Sequence, residues 1–468
     1  MSDLEMREGV YGDKILAVEP GGIEAIPDED RHGKASQLFA TWMSPNLEFA
    51  TIYVGALGVI AFGLSFWQAV LGIVIGNALG SAGQYVLTKD GPKYGVPQMV
   101  IGRAAFGKLG NILPSIFNAG AAGIGWFAVN SVSGAFALAN LTKMTPVTSL
   151  VIVVIIQVAI AFVGHNLVQT VEKYLFPYLI VVFGIAAVYT FTNSKTHLGA
   201  HGAGHTPGGF LILIGAVYGY AAGWNPFSAD YARYLPKSVD GKKAGRSAGF
   251  GIFISATTLQ IVGAAAGTAG LHLFDTGNPT SDFTGLMPNI LGKLVLLGIV
   301  GGSICANVLN IYSGAMSFLT IGIKVGSHLR RGISAIVFGI AGFLLAKAAI
   351  GNPANNYENF LLIMSYWIGP WLGVILADKM LRKGASIERL LFANRENIAG
   401  PIAFVVGTVF SIWGFVNQTW GHGKSFHFVS GYFVKKNGNL GDITFLVGFA
   451  VAFVIYYLIA KKKVSAEK

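Results

Sequence analysis

Several short constellations in this chain carry groups that can do chemistry, and each lies within a strongly apolar run. Trp126 and Asn130 stand four residues apart, so on a helix they share one face. Ser303, Asn307, Asn310 and Gly314 recur at spacings of four, three and four, which draws a polar stripe along another helix face. An asparagine side chain offers a donor and an acceptor together and matches the edge of a planar heterocycle. Trp126, Tyr220 and Trp224 can stack on the faces of such a ring. No cluster of arginine or lysine accompanies them, which argues against a phosphate and for a small, flat, nearly neutral solute. The bland alternative is that each asparagine only bonds a neighbouring helix and each aromatic only packs.

Two further groups carry charge. Glu48 follows Ser44 by four residues. A carboxylate in an apolar span is expensive to keep ionised, which makes Glu48 the candidate proton carrier or cation ligand. The alternative is a carboxyl fixed by hydrogen bonds to nearby backbone. Asp230 and Arg233 lie nearer the end of their run and suggest a gate or a capping ion pair.

The elements that hold these groups are membrane helices. Hydrophobic residues make up 53% of the 468 and charged residues only 12%, against about a quarter charged in soluble domains. The apolar residues come in runs of about 17 to 30, the length that crosses a hydrocarbon core. The spacing predicts an all-α polytopic protein with twelve spans near 37–66, 67–88, 110–140, 147–163, 169–192, 208–235, 246–271, 289–320, 331–349, 355–377, 397–413 and 441–460. Most of the 33 lysines and arginines fall in segments on one side, so both ends are expected in the cytosol and the protein in the cytoplasmic membrane. The net charge of +11 therefore reflects topology rather than nucleic-acid binding. Residues 1–36 have the composition of a cytosolic tail, without the apolar core of a cleaved leader. The single Cys305 excludes an intramolecular disulfide framework.

Two spans contain helix-interrupting signals, Ser44-Pro45-Asn46 in the first and Trp224-Asn225-Pro226 in the sixth. Proline removes a backbone donor and clashes with the preceding turn. Broken helices at matching positions of two halves point to a transporter binding site. Pro45 and Pro226 are 181 residues apart, and the same offset sends the span starts 67, 110, 147 and 169 to 248, 291, 328 and 350, beside the starts at 246, 289, 331 and 355. A repeat of five helices must be inverted in the membrane. The expected organisation is a tail over 1–36, five-helix repeats over 37–207 and 208–396, and two extra helices with a short tail over 397–468.

The run Trp224-Asn225-Pro226 followed by Asp230-Tyr231-Ala232-Arg233-Tyr234-Leu235-Pro236 resembles the nucleobase/cation symporter family in its purine/cytosine permease branch. Gly22-Ile23-Glu24, Ile26-Pro27-Asp28-Glu29-Asp30-Arg31 and Asn307-Val308-Leu309-Asn310-Ile311-Tyr312-Ser313 are similar to that branch too. The resemblance implies a LeuT-like inverted-repeat fold and alternating-access symport of a base or related heterocycle. It implies that Trp126 stacks on substrate, that Asn130 bonds it, and that Asn307 and Asn310 are the amides of the eighth span. It also implies that Tyr220 or Ala221 holds the aromatic position of the sixth span and that Ser44 faces substrate. Sodium-coupled members resemble one another in one or two hydroxyl residues before the first of those asparagines, where this chain has Cys305 and Ala306. Protons are therefore the expected coupling ion, with sodium as the alternative and Ser303 the remaining hydroxyl.

His197, His201 and His205 recur every fourth residue, but the glycines and Pro207 among them predict a loop rather than a metal site. Gly120, Gly123 and Gly125 have no preceding strand and are expected to pack helices rather than bind a dinucleotide. No catalytic constellation stands out. The sequence therefore predicts a carrier rather than an enzyme or channel, without cofactor or nucleic-acid partner, in the bilayer as a monomer or loose homo-oligomer. Purines, cytosine and related bases lead as substrates, with allantoin, a hydantoin or a vitamin ring as alternatives.

Overall fold

The computed structural model of the chain describes residues 4–8, 11–197, 206–270, 278–323, 330–350, 353–420 and 427–467. The first apolar run is split into α1 (Gln37–Met43) and α2 (Phe49–Ile60) by a tight turn at Ser44–Asn46 and an extended Glu48. Pro45 sits in that turn, where the missing donor breaks the ladder. There follow α3 (Phe66–Thr88), α4 (Ile112–Thr142), α5 (Pro146–Val163) and α6 (His165–Asn193). The sixth run is again split, into α7 (Gly209–Ala222) and α8 (Ser228–Ala232), around Asn225–Phe227 and its Pro226. The remaining long helices are α9 (Gly241–Ala269), α10 (Asn289–Thr320), α11 (Arg330–Ala349), α12 (Pro353–Arg382), α13 (Ala399–Phe415) and α14 (Thr444–Ala466).

Among the described residues, ten helices are long and apolar enough to cross a membrane, and α2 and α13 are shorter apolar helices. The ends carry local signals: Ser65 and Gln68 form a reciprocal capping box on α3, and Thr145 caps α5 with Pro146 in its first turn. One departure from an all-helical fold lies between α13 and α14. There β1 (Asn417–Trp420) and β2 (His427–Ser430) pair antiparallel, Asn417 opposite Ser430. Of the three histidines, His197 is in an exposed turn after α6, while His201 and His205 lie outside the described residues.

Burial separates centre from periphery. In the apolar window of Gly209–Ala232, 89% of residues are buried, against 33% in α5, 28% in α6 and 33% in α14. The twice-broken pair is thus central, and α5, α6 and α14 turn apolar side chains such as Ile155, Val181 and Leu458 outward. Helix α3 packs between α7 and α9, α4 packs along α10, and α12 along α14. Close approach at the breaks depends on glycine: a Cβ on Gly302 of α10 would lie 2.7 Å from the Glu48 Cβ, and one on Gly314 would lie 2.8 Å from the backbone of Gly123. Small residues at helix contacts in a bilayer serve this purpose.

Candidate functional site

The two breaks face each other. The indole N–H of Trp224, beside Pro226, donates to the Asn46 side-chain oxygen, beside Pro45, at 3.0 Å. Each proline thereby frees a stretch of backbone close to the other. Glu48 is consumed by its own break: its carboxylate caps α2, accepting from the Ala50 N–H at 2.8 Å, with the N–H groups of Phe49 and Thr51 also directed at it. The geometry gives Glu48 the work of a helix cap, the backbone-bonded alternative that its place in the sequence leaves open beside a proton carrier.

The asparagine stripe meets α4 at the level of Trp126. The Asn307 amide nitrogen donates to the Phe127 carbonyl at 2.8 Å, the Ser131 hydroxyl at 2.9 Å and the Gln157 oxygen at 3.1 Å. A carbonyl only accepts, so this orientation of Asn307 is dictated by Phe127. The Asn307 oxygen then accepts from Asn130 at 3.1 Å and from Asn310 at 3.3 Å. Both neighbours must turn their NH2 groups toward Asn307, which leaves the amide oxygens of Asn130 and Asn310 buried without partners. Asn307, expected to touch substrate, has both ends of its amide bonded to protein groups and orients the amides of Asn130 and Asn310. Buried acceptors left open are costly, and two of them on adjoining helices make a place for an N–H donor.

Aromatic walls stand nearby. Trp126 lies at the end of a π-helical turn over Ala121–Trp126, a local widening common at functional positions. Its ring meets Tyr220 at 5.5 Å and Phe360 at 5.0 Å, both nearly perpendicular, with Tyr357 at 6.3 Å. The Tyr220 hydroxyl is in turn bonded to Thr51 of α2 at 2.5 Å. Of the two residues expected at the aromatic position, Tyr220 faces Trp126, whereas Ala221 packs against Gly80 of α3. Trp224 packs edge-on against Trp42 at 5.7 Å and ties the breaks rather than joining the Trp126 group. Ser44 donates to the Ala40 carbonyl at 2.8 Å and stands beside Glu172 and Cys305. Ser303 turns its hydroxyl to the Val300 carbonyl, while its own carbonyl accepts from Gln157 at 3.1 Å.

The expected Asp230–Arg233 ion pair is corrected. Asp230 accepts from the Gln98 N–H at 2.8 Å, while the carboxylate on Arg233 is Glu19, at 3.1 Å. The amino-terminal stretch, read from sequence as a cytosolic tail, packs onto the bundle through Glu19. Buried Glu19 also faces Arg331 at 3.5 Å and Arg7 at 3.9 Å, accepts from Tyr312 at 3.0 Å and from Tyr234, and receives the His165 N–H at 3.0 Å. Burial by itself would raise this carboxyl, but the Arg331 and Arg233 guanidiniums and the Tyr234 hydroxyl draw it down to about 2. This lock joins the starts of α6 and α11, the end of α8 and the body of α10. Except for Arg7, its partners lie more than a hundred residues from Glu19 in the chain, so no local pattern announces it. Ser131 and Gln157, which complete the asparagine network, are also missed by spacing alone.

An apolar groove between α5 and α11, lined by Val154, Val158, Phe162, Ile336, Ile340 and Phe343, has none of these polar groups and lies apart from the site.

The profile of the family described as permeases for cytosine/purines, uracil, thiamine and allantoin matches residues 25–448. A putative purine-cytosine permease of Bacillus subtilis, YxlA, is 28% identical over 466 residues, covering 96% of this chain and 97% of its own. The purine-cytosine permease fcyB of Emericella nidulans is 27% identical over 467 residues, covering 94% and 88%. Among solved structures, Mhp1, a nucleobase-cation-symport-1 family transporter in a closed conformation with bromovinylhydantoin bound, aligns with a TM-score of 0.73 at 16% identity, over 97% of this chain and 96% of that one.

Proposed function

The chain belongs to the family of permeases for cytosine/purines, uracil, thiamine and allantoin, and from that premise we propose that it imports a purine, cytosine or related nucleobase by proton symport. As a secondary transporter it works by alternating access, the two broken helices moving against the rest of the bundle around a fixed central site. The proposed architecture is twelve crossings, with inverted repeats over 37–207 and 208–396 and two further helices within 397–468. Both ends lie in the cytosol and the protein in the plasma membrane, as a monomer or loose homo-oligomer.

One observation carries the substrate class: the Asn307 hub that leaves the Asn130 and Asn310 oxygens open beside Trp126. Two acceptors on adjoining helices suit the N–H groups along one edge of a heterocycle. Trp126 stacks on the ring in this reading, and Tyr220, fixed by Thr51, closes the far side. Ser44 and Trp224 act on the movement of the breaks rather than on the ring, and Asp230 and Arg233 hold the cytosolic gate through Gln98 and Glu19.

Equilibrium binding of radiolabelled hypoxanthine, with adenine, cytosine, allantoin, a hydantoin and pyridoxine as competitors, tests the reading. Competition by the bases at micromolar levels supports it. Binding of only allantoin, the hydantoin or pyridoxine assigns the site to another heterocycle, and no binding by any ring overturns it.

A further inference from the structure

Seven carboxyl groups are among the buried polar residues described: Glu19, Asp30, Glu48, Glu172, Asp230, Asp378 and Asp442. Six are held by definite partners. Glu19, Asp30 and Asp378 bind arginine, Glu48 and Asp230 accept backbone N–H groups, and Asp442 accepts from the Asn417 N–H at 2.9 Å. Glu172 differs. It is 1% exposed, and neither of its oxygens has a hydrogen-bond partner.

Its surroundings explain what such a group can do. The carboxyl faces Ser44, in the turn that breaks the first span, and Cys305 of α10. The Ser44 hydrogen is already given to the Ala40 carbonyl, and a thiol is a weak donor. Among the described residues, Cys305 and, farther off, Tyr231 of α8 are the titratable groups that face it, α1 and its break contribute Ser44, and no charged side chain is among its neighbours. Lys173, the next residue, is exposed on the other side of α6. An ionised carboxylate without donor or cation is too costly to persist here, so in this conformation the group carries a proton.

The geometry points to Glu172, and not Glu48, as the group that binds the driving proton, at the junction of α6, α10 and the moving break at Ser44. In this account, protonation lets the broken helix close on α6. Withdrawal of that helix admits water or a donor, and the proton leaves. The inference rests on the proton-symport reading above and adds the residue that performs it.

The test uses the full chain reconstituted in vesicles. A pH difference of one unit can sustain about a tenfold gradient of a neutral solute carried with one proton. Wild type should approach that ratio for hypoxanthine. Glu172→Gln, which mimics the protonated group, should fall to a ratio of about one while keeping most of its hypoxanthine counterflow, the sign that it folds and binds. Glu172→Asp should recover gradient-driven accumulation in part. Accumulation by Glu172→Gln equal to wild type overturns the assignment. Loss of counterflow in both variants overturns it too, since Glu172 would then be structural. Failure of the proton reading is visible separately, as wild type that ignores the pH difference and follows sodium.

Discussion

Glu19 and Glu172 lie against the same helix, two turns apart, and are built in opposite ways. Glu19 receives the His165 N–H at the start of α6 and faces the guanidiniums of Arg7, Arg233 and Arg331. Glu172, seven residues along, has neither a cation nor a hydrogen-bond partner among the described residues. The contrast extends to the regions around them. The end of the bundle at Glu19 is held by a charged network whose carboxylate stays ionised throughout the physiological range, and the centre is furnished with neutral amides and rings. Charge that must not change is paired, and charge that must come and go is left alone.

The comparison can be broken at its charged end first. Glu19→Ala leaves the buried Arg233 and Arg331 guanidiniums without their carboxylate, while Arg7 keeps Asp30, and removal of one partner from a buried network costs about 3–5 kcal/mol. It should lower the thermal midpoint in detergent more than any other change proposed, and a midpoint equal to wild type would remove the lock from the account. The pH dependence follows from its sign. A carboxyl held down to about 2 contributes stability that is present above its unfolded value near 4.3 and is lost only as pH falls toward 2. The wild-type midpoint should therefore stay flat between about pH 5 and 8 as far as this group is concerned.

At the neutral end the expected effects are on affinity. Asn307→Ala frees the amides it orients and exposes buried partners, about 2–3 kcal/mol or roughly a 30- to 150-fold weaker hypoxanthine Kd. Asn310→Ala, which removes one acceptor, should weaken it by about tenfold, and an unchanged Kd would exclude Asn310 from the site. Trp126→Ala removes the stacking face, worth about 1–3 kcal/mol, measured in the same assay. The smallest effect sharpens the contrast most. Glu172→Gln should alter the thermal midpoint little, by about 1 kcal/mol or less, because a neutral amide replaces a group already neutral in this conformation. A large loss of stability there would give Glu172 a hidden partner and end the comparison.

Much of the centre was legible before any coordinates. Proline flanked by polar residues in an apolar run marks a break, as at Ser44-Pro45-Asn46 and Trp224-Asn225-Pro226, whereas Pro177 and Pro370 lie within continuous helices; the Asn46–Trp224 bond puts the two breaks face to face. The asparagines were visible because three- and four-residue spacing maps directly onto a helix face. Their division of labour was not: which amide is saturated depends on the Phe127 carbonyl and Gln157, whose approach no periodicity encodes. With the span read from residue 169, Glu172 falls in its first turn, where a charged group at a membrane edge draws no notice. The helix begins at His165, and adjacent residues point about 100° apart, so Lys173 is exposed while Glu172 is buried. Glu19 lies in a polar stretch with the composition of a solvated tail, and only tertiary contact with Arg233 and Arg331 shows its use. The π-helical turn before Trp126 and the hairpin after α13 have no residue signature strong enough to predict either.

The most direct test is hypoxanthine accumulation by wild-type vesicles in sodium-free buffer, with an inward proton gradient imposed and then abolished by a protonophore. Uptake above equilibrium that collapses with the protonophore is the predicted result. Uptake that needs sodium and ignores the proton gradient would contradict the account.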